Sequence, residues 1–278
     1  MIVKNIAFIG AGNMAGAIIK GLIEGGYPAS AIRATTRSDT SAAKAAAALN
    51  IEVGTDNVQA ARWAEVIVLA VKPQMLKDTC QQLTSALDQQ LVISVAAGID
   101  TQALSQWLGE ALAIVRSMPN TPSQVGAGAS GLFANAKAKA GDRAFAQQIA
   151  EATGLCIWVE DEALMHAVTA VSGSGPAYYF LFMEAMIEAG TSLGLSPESA
   201  RALTLQTALG AAQLAGKVDV PVDELKRRVM SPGGTTERAI HAFEQGGLRP
   251  LIQQAMSDCA ARSQALAKEL VQPTEETR

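Results

Sequence analysis

The chain is poor in the residues that carry most metal, disulfide and nucleic-acid chemistry. Its 278 residues include three cysteines, two histidines and 4% aromatics, and 17% are charged. Cys80, Cys156 and Cys259 are far apart and odd in number, which speaks against a disulfide framework and against a thiolate metal cluster, so no metal is expected. A reducing compartment fits them best. The net charge is −4 and the Lys and Arg residues are scattered, so no basic field is offered and nucleic acid is not an expected partner. The opening MIVKNIAFIG runs straight into a short apolar strand, without the charged lead, long apolar core and small-residue cleavage site of a signal peptide. The longest later apolar run, Tyr178 to Ile187, is broken by Glu184 and followed by Glu188, too short and too charged for a bilayer span. The expectation is a cytoplasmic protein with no membrane partner.

What is present is apolar mass in two different patterns. A hydrophobic content of 49% is ample for two modest cores. As far as about residue 160, runs of strand length (NIAFIG, AIRATT, EVIVLAV, LVISVAA, LAIVRSM) alternate with helical stretches. Such alternation predicts a parallel sheet wrapped by helices, and runs apolar on both faces suit a sheet covered on both sides. Beyond Asp161 the strands stop and Ala, Leu and Met-rich stretches of helical spacing take over. An α/β domain over 1–160 is therefore expected to precede an all-helical domain over 161–272, with the boundary near Val159 to Glu162. Residues 273–278 read as a flexible tail after a helix ending near Pro273.

GAGNMA, Gly10 to Ala15, follows the first strand directly and opens a helical run, as a dinucleotide-binding Rossmann turn requires. Gly10 permits the tight turn, Gly12 lets backbone approach a pyrophosphate, and Ala15 lets helix pack on strand. With Ala11, Asn13 and Met14 these residues form the first cofactor candidates, because the helix N-terminus turns unpaired N–H groups toward an anion. At the end of the second strand an NAD site would carry an acid for the ribose hydroxyl, but this chain reads Thr35-Thr36-Arg37-Ser38. Thr36, Arg37 and Ser38 suit a 2′-phosphate, so NADP is the expected cofactor, with NADPH preferred and NADH possible. A solvated arginine beside Asp39 is the plainer alternative. Later strand ends carry Ala70, Val71, Lys72 and Pro73 in AVKPQ, then Ala96, Ala97 and Gly98 in SVAAG. Pro119, Asn120 and Thr121 follow in RSMPNTP, where Asn120 and Thr121 place donors and acceptors suited to a carboxamide.

Two glycine-rich interruptions mark the helical half. In SGSGPAYYF, Ser174 reads either as a cap with Pro176 in the first turn or, with Gly175, as a close backbone approach to a ligand. In SPGGTT, Pro232 and Gly233-Gly234 make a turn and Thr235-Thr236 open a helix. Backbone N–H groups there suit a small anion such as a carboxylate, and a threonine N-cap is the structural alternative. The stripe of Tyr178, Leu181, Met183, Met186 and Ile187 has helical spacing and reads as a core between subunits. His166 and His241 read as packed or surface residues rather than catalysts.

Taken together, GAGNMA, VKPQ, RSMPNTP, AVSGSGPAYYF and MSPGGTT resemble pyrroline-5-carboxylate reductase in order and spacing, from Ile6 to about Ala267. The resemblance implies an N-terminal Rossmann domain, an all-α dimerisation domain, and dimers that assemble into a pentamer of dimers. It implies reduction of 1-pyrroline-5-carboxylate to L-proline by NAD(P)H, the final step of proline biosynthesis. Asn57 is placed by it near the adenosine ribose and Ala70, Lys72 and Pro73 along the cofactor. The substrate carboxylate falls on Ser231, Gly233, Gly234 and Thr235, Thr236 is the catalytic candidate reaching the ring nitrogen, and Ser174 and Gly175 close the site. Met230 departs from the threonine or cysteine that the family often has before SPGG, and leaves the anion loop intact. Two rivals stand beside this reading: a reductase of another substrate, such as a hydroxyacid dehydrogenase or a deazaflavin-dependent NADP reductase, and an NADPH-binding redox sensor.

Overall fold

The apolar runs become strands, and the stretches between them become helices. In the computed structural model, which describes residues 1–271, they are β1 (Ile6–Ile9), α1 (Asn13–Glu24), β2 (Ile32–Thr35), α2 (Asp39–Leu49), β3 (Glu52–Gly54) and α3 (Asn57–Trp63). There follow β4 (Val66–Leu69), α4 (Pro73–Leu83), β5 (Leu91–Ser94), α5 (Thr101–Leu108), β6 (Ile114–Met118), β7 (Gly128–Ala134), α6 (Ala140–Glu151) and β8 (Gly154–Trp158). The tail expected at 273–278 and the helix stop at Pro273 lie outside the described residues.

The strands form one sheet in the order β3-β2-β1-β4-β5-β6-β7-β8. The five runs read from the sequence are all strands and pair in parallel, as read; the sheet extends beyond them. β7 runs antiparallel to β6, and β3, β7 and β8 are additional. The turn from β6 to β7 is the cause: its 3-10 segment, Thr121–Val125, is far shorter than the dozen or more residues that a parallel crossover needs. β7 was hidden by its glycines. A Cβ on Gly131 would sit 2.5 Å from Val168 Cγ1, so glycine is required where the chain passes that close. β8 leaves Leu155 and Ile157 exposed, so it lacks the doubly apolar run of a buried strand.

Alternating side chains of the central strands feed two cores, one on each face. Ile6 and Phe8 of β1 pack with Ile18, Ile19 and Leu22 of α1 and Phe145 of α6. Ala7 and Ile9 pack on the other side with Leu76 and Leu83 of α4 and Leu104 of α5. Each fully buried side chain of this size contributes about 1.5–3 kcal/mol of transfer free energy. Because β1 lies between β2 and β4, their crossovers leave in opposite directions and a crevice opens at the carboxyl ends of these strands.

After β8 a 3-10 turn (Glu162–Leu164), α7 (Met165–Val168) and a π-helical turn (Thr169–Gly173) lead into α8 (Gly175–Ser192). The remaining helices are α9 (Pro197–Lys217), α10 (Val222–Arg228), α11 (Thr235–Gln245) and α12 (Leu248–Val271). Ser196 caps α9 by accepting from the Ser199 N–H at 3.1 Å, with Pro197 in the first turn. By contacts the chain divides into two compact units, Met1–Ser174 with the segment from Cys259, and Gly175–Asp258. The boundary read near residue 160 therefore falls inside the first unit. Met165 and Val168 of α7 are buried there, and Leu270 and Val271 at the end of α12 pack on the α4 and α5 side of the sheet. Among the described residues no helix is long and apolar enough to cross a membrane.

Candidate functional site

At the crevice in the first unit lies a cavity of about 630 Å³. Its floor is the turn after β1, where Gly10 adopts φ +100°, a value that L side chains rarely reach. A Cβ on Gly10 would also lie 2.8 Å from the Ala70 carbonyl oxygen. Gly12 is the N-cap of α1 and caps it with no side chain, and a Cβ there would project into open space. The first N–H groups of α1 thus have no side-chain cap, next to a turn, Gly10 to Gly12, that lines the cavity.

Thr36 and Arg37 line the cavity from the end of β2, Asn57 from the start of α3, and Ala70, Val71 and Lys72 from the end of β4. Arg37 is exposed and makes no ion pair among the described residues, so Asp39 does not neutralise it. Thr36 turns its hydroxyl onto the Ser38 carbonyl at 3.1 Å, while Ser38 caps α2 through the Ser41 N–H at 3.3 Å. Pro73 occupies the first turn of α4 behind Lys72, its N-cap.

Other candidates stand elsewhere. Asn13 lines a separate recess of about 310 Å³ with Lys20, and Met14 packs against the core. Ala96 is buried in the core and Gly98, at φ +81°, packs against Leu270 of α12. Neither these residues nor Ala97 line the large cavity. Asn120 is buried, and both ends of its amide are engaged by the fold: Nδ2 donates to the Ser172 carbonyl at 3.0 Å and Oδ1 accepts from the Ala129 N–H at 2.9 Å. Its side chain pins the β6 to β7 turn, and Pro119 and Thr121 flank that pin outside the cavity lining.

Ser174 is not the extended cap that one sequence reading allowed. Its backbone is helical and its N–H donates to the Thr169 carbonyl at 2.8 Å, which makes the interruption a π-turn, a feature common at functional sites. Cys259 Sγ donates to Ser174 Oγ at 3.3 Å. Nearby, Glu162 accepts from the Thr101 N–H and hydroxyl at 2.8 and 2.6 Å and pairs with buried Arg116 at 3.3 Å. His166 lies beside this pair with Nδ1 2.9 Å from Ser263 Oγ. Burial first, and then the Arg116 charge, lower its pKa, against the opposing pull of Glu162 and Asp100.

In the helical unit, Gly233 takes φ +70° and the Gly234 N–H closes the turn on the Ser231 carbonyl at 2.9 Å. Gly234, not a threonine, is the N-cap of α11, and no side chain caps it. Thr235 and Thr236 therefore occupy the first helical positions, which overturns the threonine-cap alternative. Glu237 accepts from the Gly233 N–H at 2.6 Å, so the loop already holds one carboxylate.

Residues 162–266 match the family described as Pyrroline-5-carboxylate reductase dimerisation, and residues 5–98 the family described as NADP oxidoreductase coenzyme F420-dependent. A pyrroline-5-carboxylate reductase of Pseudomonas aeruginosa is 50% identical over 98% of this chain and 100% of its own length. The chain belongs to the pyrroline-5-carboxylate reductase family. A solved pyrroline-5-carboxylate reductase of Coxiella burnetii superposes with a TM-score of 0.92 at 46% identity, covering 98% of this chain and 100% of that one. A Plasmodium falciparum pyrroline carboxylate reductase with NADP bound superposes with a TM-score of 0.85 at 29% identity, covering 95% of this chain and 98% of that one.

In this pyrroline-5-carboxylate reductase fold the sequence reading missed one wall of the cavity and one buried hydroxyl. Met75, Asp78, Thr79 and Gln82 of α4 line it. Their helical spacing after Pro73 is a signal that could have found them. Thr35, under the glycine turn, carried no such signal.

Proposed function

We propose that the chain reduces 1-pyrroline-5-carboxylate to L-proline, with NADPH as the preferred hydride donor and NADH as a second, in the final step of proline biosynthesis. The observation that carries this reading is 50% identity to a pyrroline-5-carboxylate reductase across 98% of the chain.

The residues present fit the dinucleotide. Bare backbone at Gly10, Ala11 and Gly12, the open N-terminus of α1 and a cavity of about 630 Å³ suit a pyrophosphate flanked by two nucleosides. Unpaired Arg37, between Thr36 and Ser38, holds a 2′-phosphate on the adenosine ribose that Asn57 also meets, and Ala70 to Pro73 supply the backbone along the cofactor. When bound, the nicotinamide supplies a hydride to the C=N carbon of the imine. Thr235 and Thr236 N–H groups hold the substrate carboxylate on the turn shaped by Ser231, Gly233 and Gly234, and the Thr236 hydroxyl reaches the ring nitrogen. Ser174 and Gly175 close the substrate pocket, with Ala96 to Gly98 and Pro119 to Thr121 supporting the cofactor through backbone. An imine nitrogen takes a proton far more readily than a carbonyl oxygen does, so these residues act chiefly by positioning.

The chain works in the cytoplasm as a homodimer through the region matching the dimerisation family, and dimers assemble as a pentamer of dimers. The test is loss of NADPH absorbance on adding 1-pyrroline-5-carboxylate to purified protein, with NADH and a 2-keto acid alongside. Oxidation with the imino acid alone supports the assignment. NADPH binding without turnover would replace it with the sensor, and turnover with the keto acid with a hydroxyacid dehydrogenase.

A further inference from the structure

Thr35 ends β2 beneath the cavity with 2% of its surface exposed. A buried hydroxyl has one proton to give and loses free energy unless it is given to an acceptor. The Gly10 N–H points at Thr35 Oγ1 at 3.4 Å, which uses the hydroxyl as acceptor. Its proton goes to Asn57 Oδ1, 2.7 Å away. The donor count therefore sets the orientation of the Asn57 amide: its single oxygen is held by Thr35, and its NH2 group is what remains for the cavity that Asn57 lines.

On the β2 side of such a crevice an NAD site carries an acid that accepts from the ribose hydroxyl. Here that place has Arg37, which only donates, beside an amide whose oxygen is turned to Thr35 and whose NH2 group is left for the cavity. Thr36 turns its proton to the Ser38 carbonyl, and Asp78, also in the lining, stands on α4. A ribose hydroxyl seeks an acceptor as well as a donor, whereas a phosphate takes donors alone.

Resting on the dinucleotide reading above, we propose that Thr35 is a positioning residue that locks the Asn57 carboxamide as a donor and so favours a ribose 2′-phosphate over a free hydroxyl. Thr35 also lines the cavity, so locking through Asn57 is told apart from direct contact by the Asn57→Ala background below.

The test titrates full-length protein with NADPH and with NADH in the absence of imino acid, following nucleotide fluorescence. Thr35→Val raises the NADPH Kd about tenfold, the effect of one misaligned hydrogen bond to a charged group, and changes the NADH Kd by less than about twofold. Thr35→Ser restores NADPH binding. In an Asn57→Ala background Thr35→Val adds nothing further, because the amide it positions is gone. Equal weakening of both nucleotides, unchanged NADPH affinity, or a full effect that persists without the Asn57 amide would each overturn the proposal. Thr35→Ala replaces the valine variant should that melt, and loss of folding in both would assign the hydroxyl to the fold and overturn the positioning role. Failure of the wild-type protein to bind either nucleotide would instead sink the dinucleotide reading beneath it.

Discussion

In the sheet unit, Ile6 and Phe8 of β1 are fully buried on one face and Ala7 and Ile9 on the other, whereas in the helical unit Tyr179, Phe180 and Leu181 of α8 and Leu203 and Leu209 of α9 stay more than half exposed. The two regions are similarly apolar in sequence, so composition does not separate them; cover does. A sheet wrapped on both sides closes its core within its own chain. A helix apolar on most of its faces must find its cover elsewhere, and a contiguous apolar surface of this kind marks an interface. The first unit thus closes its core within its own chain, while the helical unit leaves apolar side chains uncovered there, and residues 162–266 match a dimerisation family.

Breaking the exposed face has the largest expected effect. Phe182→Glu, on the α8 face where Phe182 and Phe243 rings lie 6.0 Å apart, and Tyr179→Asp should dissociate the assembly and lower turnover about a hundredfold or more. Sedimentation velocity reads the first and NADPH oxidation the second. NADPH binding by the sheet unit should survive, and an unaltered sedimentation profile would refute the interface.

The converse variant spares association and removes the cofactor. Gly10→Ala adds a methyl 2.8 Å from the Ala70 carbonyl oxygen at φ +100°, at a cost of order 1–3 kcal/mol, and should weaken NADPH binding about tenfold to a hundredfold while the assembly stays intact. A titration with sedimentation alongside checks both halves.

Thr236→Ala sharpens the division within the helical unit. Turnover or imino-acid affinity should fall about tenfold with NADPH affinity unchanged. Equal loss of both would assign the SPGGTT loop to the fold.

A pH effect on the first unit is smallest. The His166 pKa is lowered by burial and by Arg116, so the folded protein favours the neutral ring. Its contribution is present above the unfolded value near 6.5 and is lost as pH falls through the depressed folded value. Thermal melts across that range should show Tm falling toward acid, and His166→Gln should flatten the slope.

The opposite case is Cys80, whose thiol burial pushes up to about 12. Its contribution is full below the ordinary thiol range and is lost as pH rises toward that value, so Cys80→Ala should flatten the alkaline limb of the same melts.

Local pattern was enough for much of this molecule. The apolar runs marked β1, β2, β4, β5 and β6, and GAGNMA marked the glycine turn, because a strand covered on both faces and a turn with φ above zero each leave their mark on adjacent residues. The SPGGTT turn was legible for the same reason. Other features arise only from residues brought together by the sheet. The reversal at β7 follows from a connection too short to cross over, and Gly131 reads as a broken strand until Val168 is seen against it. Asn120 suited a carboxamide ligand in sequence, yet its partners are Ser172 and Ala129, supplied by segments that the fold draws in. The unit boundary at Ser174, and the return of α12 to the sheet, likewise depend on packing rather than on composition. Thr35 and Asn57 lie 22 positions apart, and what joins them is the parallel pairing of β2 with β1 and β3, which sets a strand end beside a helix start. Hydrophobic periodicity reports which face of an element is buried; it holds no record of which distant polar group waits on the other side, and that partner settles what a buried hydroxyl or amide has left to offer.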